Sequence, residues 1–205
     1  KKQVDWCVLE AACGGRYDST NIIPHKDIAI VTNVGLDHTK TLGNSKSIIA
    51  HEKAGIFAKD ALAYTAEKNG RIRNILKKEA EAKQTDLIVV RPSYTIVSHT
   101  LDGITFRYND STYTMPLLGA HQAENAVLAI EALSSLNISS TVVAKALSSL
   151  ILPIRMERRA TNPTIIVDSA HNADKIASTV NTLRSLQPSG DIHLVLGFCQ
   201  DKKLT

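Results

Sequence analysis

Two short apolar runs decide the fold: VDWCVLE at Val4–Glu10 and DIAIVTNVG at Asp27–Gly35. Apolar runs of this length, bounded by glycine or charge, are typical of strands buried in a parallel sheet. Polar residues follow at the carboxyl end of each run, Glu10 after the first and Asp37-His38 after the second. Because ligands bind at that edge of an open α/β sheet, we expect Glu10 and His38 to share one site.

A helix is predicted next, over SKSIIAHEKAGIF. Ser45 is a suitable N-cap, and Ile48, Ile49 and Phe57 supply the apolar positions. Lys53 lies within this helix, so a third chain segment brings a charged side chain toward the predicted site.

Each of these residues also has an ordinary structural explanation. A glutamate such as Glu10 at a strand end is more often a salt-bridge or capping partner than a metal ligand, His38 alone is no more specific, and Lys53 alone is most simply a solvated lysine. The functional interpretation depends on the joint, ordered occurrence of Gly-Gly-Arg-x-Asp-x-Thr-Asn, Gly-Leu-Asp-His and Glu-Lys-Ala-Gly-Ile.

The remaining pattern predicts an α/β protein in two unequal parts, residues 1–152 and 153–205. In the first part, strands alternate with helices and an antiparallel meander precedes two final helices. In the second, a linker from Pro153 leads into a β-α-β unit. The predicted strands are 4–9, 28–34, 61–65, 86–91 and 164–167; the predicted helices are the Lys53 helix, 69–84, 121–136, 140–150 and one from about Asn172; the meander is 93–117, with turns at Asp102-Gly103 and Asn109-Asp110.

Composition narrows the class of protein. Hydrophobic residues make up 43% and charged residues 21%, which is ordinary for a globular chain. The net charge of +4 is small and dispersed, so we expect no nucleic-acid partner. Three cysteines without paired spacing favour a reducing compartment, and no apolar run is long enough for a membrane span. We therefore expect a cytoplasmic protein without membrane contact.

With these motifs in place, the chain resembles the folylpolyglutamate synthase and dihydrofolate synthase branch of the Mur ligases. The resemblance continues through LLGAHQAENAVLAIEAL, LPIRME, IIVDSAHNADK and LGFCQDK. It implies a P-loop-type ATPase domain of Mur ligase type followed by the start of a Rossmann-like C-terminal domain. It also implies an ATP-dependent ligase that adds L-glutamate to a folate or to dihydropteroate through an acyl phosphate, with Mg²⁺ as the second cofactor, acting as a monomer.

The resemblance assigns three residues to the metal. Glu10 matches the motif's carboxylate ligand, and carboxylate oxygens suit magnesium. His38 matches a metal-binding histidine, although imidazole is an uncommon magnesium ligand. Lys53 matches the lysine that carries a carbamate, an anion able to act both in catalysis and at the metal.

Four residues are assigned by resemblance to the nucleotide and the reaction. Asn125 matches an ATP contact, although without the family a helix-surface amide is the simpler interpretation. Arg155 lies in Pro-Ile-Arg-Met-Glu, where relatives usually have Pro-Gly-Arg-x-Glu, and would grip phosphate as a binding and catalytic group. Asp168 matches a ribose contact, although an Asp before a helix is most often a cap. His171 would lie near nucleotide and glutamate.

Substrate binding is assigned to Tyr17, Asp18 and Ser19, which match the pterin-side pocket where Leu-Asp-Ala is usual. The phosphate-loop pattern Gly-x-x-x-x-Gly-Lys-Ser/Thr is missing from the 205 residues, which predicts an internal fragment that is inactive alone. Two alternatives remain open: another Mur-type ligase of cell-wall metabolism, and an inactive nucleotide-binding remnant.

Overall fold

The computed structural model describes residues 3–91, 93–187 and 189–197. The chain divides into two compact units, residues 1–90 and 91–205. The boundary predicted between residues 152 and 153 falls inside the second unit, and it stays a prediction.

The first unit is built on a parallel sheet of three strands in chain order, with Ile28 opposite Leu62 and Ala63 opposite Leu87. Helices occupy the connections between the strands, as parallel pairing requires. The elements are a 3₁₀ helix Ser19–Ile22, β1 Ile28–Val31, α1 Thr39–Leu42, α2 Lys46–Ala54, β2 Leu62–Thr65, α3 Gly70–Ala82 and β3 Leu87–Val89.

The core of this unit lies between the sheet and helices α2 and α3. Ile49, Phe57 and Leu76 are at most 2% exposed and pack with the small residues Ala50 and Ala54. Ser45 caps α2 as predicted, because its side chain accepts a hydrogen bond from the Ile48 amide. The helix ends at Ala54, earlier than predicted, with Gly55 as its C-cap.

The predicted strand over residues 4–9 is wrong. No strand forms there in the described chain, and Val4, Trp6 and Val8 are 67%, 60% and 98% exposed. A strand needs a neighbouring backbone to accept and donate its hydrogen bonds, and apolar composition does not supply one.

The second unit begins with the predicted meander. Its three antiparallel strands lie side by side in chain order, and Asn109, in the second turn, has φ +49°. Its elements are β4 Tyr94–Thr100, β5 Gly103–Tyr108, β6 Ser111–Met115, α4 Ala120–Ser134, α5 Ser140–Ser148, β7 Glu157–Thr161, β8 Thr164–Val167 and α6 Ala173–Leu186.

The end of this unit differs from the predicted β-α-β unit. Strand β8 and helix α6 form as expected, but β8 pairs with an unpredicted antiparallel partner, β7. Sequence analysis missed strand β7 because it begins with the charged residues Glu157-Arg158-Arg159. Both arginines are exposed, so the strand lacks the apolar pattern of a buried one. Residues 191–197 form no strand, and the rest of the motif LGFCQDK lies outside the described residues. None of the described helices is both long and apolar enough to cross a membrane.

Candidate active site

The Gly-Gly-Arg segment packs directly onto the end of helix α2. The Arg16 amide donates a hydrogen bond of 2.8 Å to the carbonyl of Glu52. A Cβ at Gly15 would lie 2.7 Å from the Lys53 carbonyl oxygen, and a Cβ at Gly55 would lie 2.3 Å from the Cβ of Arg16. Glycine is needed at both positions because the two backbones approach too closely for a side chain. Two motifs separated in sequence therefore pack against each other, and Lys53, in the second of them, is half-buried.

The guanidinium of Arg16 joins this segment to helix α3. Its Nη2 atom lies 2.5 Å from Glu79 Oε2 and donates to the His51 carbonyl at 3.0 Å. His51 Nδ1 approaches the other oxygen of Glu79 at 2.7 Å. The Nε atom of Arg16 is buried without a hydrogen-bond partner in the described structure, with Glu52 Oε1 4.0 Å away. Sequence reasoning missed Glu79, since it lies 63 positions from Arg16 in an ordinary helix pattern.

Of the three predicted substrate residues, Asp18 has a clear local role. Its carboxylate accepts hydrogen bonds from the amides of Ala12, Cys13 and Thr20 at 2.9 to 3.0 Å. The Cys13 amide, the strongest of these influences, helps lower the pKa of Asp18 to about 2. Tyr17 is 87% exposed and Ser19 is exposed at the start of the 3₁₀ helix. The loop is therefore shaped by Asp18, while the pterin assignment of all three residues stays a prediction.

The predicted metal residues all belong to the first unit, but they do not form a metal centre in the described part of the chain. Glu10 is exposed and, without the expected strand, does not stand at a sheet edge. His38 is exposed, with a left-handed φ of 50°, at the start of α1. No group of three His, Cys, Asp or Glu side chains in the described part of the chain could hold a metal ion. Their assignment to the metal stays a prediction.

A buried carboxylate that sequence reasoning overlooked shapes the neighbouring loop. Glu67 is 7% exposed, and its two oxygens accept hydrogen bonds from the amides of Val34 at 2.8 Å and Asn69 at 2.7 Å. It therefore ties the segment after β1, which leads to His38, to the start of α3.

In the second unit, Asp168 joins two loops. Its Oδ2 accepts from the Met156 amide at 2.8 Å, and its Oδ1 accepts from the Ala170 amide at 2.6 Å and the Thr179 hydroxyl at 3.2 Å. Asn172 caps α6 through a 3.0 Å bond from the Lys175 amide. The alternative that Asp168 is the helix cap is therefore wrong.

Arg155 lies on the same pair of loops, exposed, with Nη1 donating to the Ser169 hydroxyl. The backbone of Ile154 has φ +51°, in the region that favours glycine, so this isoleucine holds the conformation expected of the glycine common in relatives. The neighbouring arginines differ from Arg155: Arg158 pairs with Asp102 and Arg159 with Glu157, each at 2.7 Å. Arg155 alone among the three contacts a neutral hydroxyl, which leaves its charge uncompensated by a carboxylate in these contacts.

His171, two residues after Ser169, is half-buried. Its Nδ1 lies 2.9 Å from the Ser169 carbonyl, which makes Nδ1 the donor, and its Nε2 then accepts from Lys175 Nζ at 3.2 Å. The structure thus brings Arg155, Asp168 and His171 onto one pair of loops.

Asn125 is exposed on α4, and its Nδ2 donates to the buried Gln122 at 3.4 Å. This placement agrees with both interpretations of Asn125, a nucleotide contact and a surface amide. Near the start of the same helix, burial lowers the pKa of His121, while the carboxylates of Asp168 and Glu124 act in the opposite direction. The start of α4 therefore lies within electrostatic reach of Asp168.

Comparison with known proteins matches both parts of the chain. The Mur ligase middle domain matches residues 1–133, and the Mur ligase glutamate ligase domain matches residues 154–205. The dihydrofolate synthase/folylpolyglutamate synthase of Escherichia coli strain K12 is 31% identical over 209 residues, covering 98% of this chain and 47% of that protein. The chain thus spans about half the length of the curated relatives it matches.

Solved structures of folylpolyglutamate synthases resemble the fold of this chain. E. coli FolC in complex with DHPP and ADP has a TM-score of 0.79 at 30% identity, covering 94% of this chain and 46% of that chain. The FPGS-AMPPCP-folate complex also has a TM-score of 0.79, at 25% identity, covering 90% of this chain and 48% of that chain. The predicted resemblance and the predicted α/β fold are confirmed. The chain belongs to the Mur ligase family.

Proposed function

We propose that this protein is an ATP-dependent ligase that joins L-glutamate to a folate or to dihydropteroate through an acyl phosphate. The E. coli relative carries both activities in its name, and the two solved structures described above contain DHPP with ADP and AMPPCP with folate. The one observation of this structure that best supports the proposal is the loop pair held by Asp168, which displays Arg155 and His171 together.

Formation of an acyl phosphate requires a cation beside the reacting phosphate, where Arg155 would lie. Formation of an acyl phosphate brings a carboxylate to a polyphosphate, so two anions must be held together against their repulsion. The guanidinium of Arg155 cannot lose its charge and is exposed, so it can grip the phosphoryl group as charge moves. Asp168 already accepts three hydrogen bonds, and a carboxylate has about four acceptor positions, so one position remains for a ribose hydroxyl. His171, fixed by its two neighbours, would orient the incoming glutamate.

We assign Mg²⁺ to Glu10, His38 and Lys53 of the first unit. Magnesium is commonly held by one or two carboxylates together with substrate phosphates, so a complete cage of protein ligands is not needed. One exposed carboxylate with a half-buried lysine, available for carbamate formation, suits that pattern. When bound, the ion would neutralise phosphate charge. Tyr17, Asp18 and Ser19 would contact the pterin side of the acceptor, and we propose that the enzyme acts in the cytoplasm as a monomer.

The test uses the full-length protein with ATP, MgCl₂ and L-glutamate, and either dihydropteroate or a reduced folate as acceptor. Product mass and ADP release are measured by chromatography and mass spectrometry. Arg155→Ala should lower kcat by about 100-fold or more with a smaller change in ATP affinity, because the guanidinium acts mainly as charge develops. Arg159→Ala is the matched control, since this neighbouring arginine is exposed and paired with Glu157, and it should retain kcat within about twofold.

Absence of product with both acceptors would overturn the proposed function. Product from a cell-wall precursor instead would assign the protein to another ligase of the family. Equal rates in the Arg155→Ala and Arg159→Ala variants would show that Arg155 is structural.

A further inference from the structure

One face of helix α6 carries three hydroxyls at a spacing of three residues: Thr179, Thr182 and Ser185. Residues at this spacing lie on the same side of a helix. The Thr179 hydroxyl donates to Asp168, Thr182 is 3% exposed, and Ser185 Oγ lies 3.2 Å from Nδ1 of His99. This face therefore touches Asp168 at one end and His99, from strand β4, at the other.

The hydrogen bonds around His99 determine which ring nitrogen carries the proton. The Ser185 hydroxyl donates its single proton to the Thr182 carbonyl at 2.8 Å, so it can only accept from His99 Nδ1. On the other side of the ring, Nε2 lies 3.0 Å from the Gly119 amide, which can only donate. Both contacts require a neutral imidazole with its proton on Nδ1.

Gly119 is held tightly at the start of α4. It is the N-cap residue, with φ +103°, and α4 has no side-chain cap. A Cβ at this position would lie 2.6 Å from His121 Cε1 and 2.6 Å from Thr182 Oγ1. The Gly119 amide is one of the donors at a helix start that lack a partner within the helix, and His99 Nε2 supplies its acceptor.

We propose that His99 is a positioning residue whose neutral ring aligns the start of α4 with helix α6. Helix α4 carries Asn125, and Thr179 of α6 donates a hydrogen bond to Asp168. The role rests on the proposed function in so far as Asn125 and Asp168 contact the nucleotide. Protonation would place a second N–H at Nε2, facing the Gly119 N–H, and would break the link. Nucleotide affinity should therefore fall as the pH decreases.

The surroundings of His99 agree with a neutral ring. Burial lowers the pKa of His99 below its usual value. Strand β5 places the apolar Ile104 opposite it, and α6 faces it with the Ser185 hydroxyl. Of the titratable groups on neighbouring elements, His121 on α4 interacts electrostatically with His99, and the carboxylates of Asp168 and Glu124 act in turn on His121. Helix α6 also carries the exposed Arg184, and the Asp102–Arg158 pair joins the turn after β4 to strand β7. Because the folded-state pKa is lowered, the neutral form prevails above the ordinary value of about 6.5 and is lost as the pH falls through the lowered pKa.

The experiment compares two substitutions in the full-length protein. His99→Gln retains an acceptor that can reach the Gly119 amide, whereas His99→Leu has similar bulk without one. Affinity for AMPPCP with Mg²⁺ is measured by calorimetry between about pH 5.5 and 8, the range in which histidine titrates. We expect His99→Leu to weaken binding about tenfold at pH 8 and His99→Gln to remain within about threefold of the wild type.

The pH profile separates positioning from simple packing. Wild-type affinity should decrease as the pH falls through the lowered pKa of His99, and the His99→Gln variant should lose that part of the decrease, since glutamine does not titrate. His25→Gln, at an exposed histidine of the first unit, is the control and should keep the wild-type profile. Wild-type affinity in His99→Leu at pH 8, or an unchanged pH profile in His99→Gln, would overturn the proposal.

A second measurement does not depend on nucleotide binding. Nitrogen-15 NMR of the His99 ring should show the proton on Nδ1, and the protection of the Gly119 amide hydrogen, measured relative to its intrinsic exchange rate at each pH, should fall as His99 becomes protonated. A proton on Nε2 at pH 8, or protection of the Gly119 amide that does not change when His99 is protonated, would refute the hydrogen bond between Gly119 and His99. Failure of the wild type to bind AMPPCP would instead overturn the proposed function, with the ring tautomer and Gly119 exchange still deciding the role of His99.

Discussion

Replacement of Gly15 by alanine tests whether the Gly-Gly-Arg segment must touch the end of helix α2. The added Cβ would lie 2.7 Å from the Lys53 carbonyl oxygen, 2.8 Å from Ile56 Cγ2 and 3.1 Å from the Glu52 carbonyl oxygen. Gly15 does not have a positive φ, so the cost of alanine is steric rather than conformational. Two of the three neighbours are backbone atoms of a packed helix end, which cannot rotate away as a side-chain tip can.

The magnitude follows from the distances. Ordinary contact begins at 3.4 Å, so the segment must move by about 0.7 Å from the Lys53 oxygen. A movement of that size toward solvent would weaken the 2.8 Å bond from the Arg16 amide to Glu52. Overpacking costs about 1–3 kcal/mol and a weakened hydrogen bond about 1 kcal/mol, so we expect a loss of about 2–4 kcal/mol in the free energy of unfolding.

The assay is urea unfolding followed by circular dichroism, with Gly70→Ala as the matched control. Gly70 opens α3, has no positive φ, and a Cβ there would meet only Arg73 Nη2, at 3.7 Å. The control should leave stability unchanged or raise it by up to about 1 kcal/mol, because alanine favours the helix. If Gly15→Ala unfolds at the same urea concentration as the wild type, the close approach of the two motifs is not required for stability, and the argument fails.

Two further predictions concern carboxylates that hold loops. The pKa of Asp18 is lowered to about 2 from 3.8, so the stability it contributes is present above pH 3.8 and is lost as the pH falls through about 2; Asp18→Asn should flatten the wild-type loss of stability in that window, and an unchanged acid-unfolding curve would contradict the assignment. Glu67→Ala should lower the free energy of unfolding by about 2–4 kcal/mol, because it removes the acceptor of two buried or half-buried amides, those of Val34 and Asn69. Glu81→Ala on the exposed side of α3, where the ion pair with Lys77 is 3.7 Å long, should change stability by no more than about 0.5 kcal/mol, and equal effects of the two substitutions in a denaturant titration would refute the role of Glu67.

Local patterns predicted most of the regular structure. The strands at β1, β2, β3 and β8, the meander with its turn at Asn109-Asp110, and the helices α2 to α6 all lie where periodicity and turn residues indicated. Ser45 is the predicted cap, and the helix predicted from about Asn172 begins there, with Asn172 as its cap. These features depend on a few neighbouring residues, because caps, turns and hydrophobic periodicity act within one or two helical turns or a single strand.

Order of motifs also carried the resemblance to the Mur ligases, and with it the candidate residues Arg155, Asp168 and His171. The structure places these three on one pair of loops. Sequence reasoning could not say how Asp168 would use its oxygens, since an aspartate before a helix is equally suited to capping. Asp168 bonds a neighbouring loop instead of capping the helix, because the Met156 amide, 12 positions earlier, donates to its carboxylate.

What the sequence by itself determined is therefore the family, the alternation of strands and helices, and which residues carry charge at the loops. Tertiary structure alone decided that residues 4–9 stay outside the sheet, that Arg16 meets Glu79 63 positions away, and that His99 meets Ser185 86 positions away. The physical reason is that these contacts exist only after distant segments have been brought together by burial of the core. Closing such long loops costs entropy that local sequence cannot reveal, and the pairing that results depends on which backbone groups still need a partner.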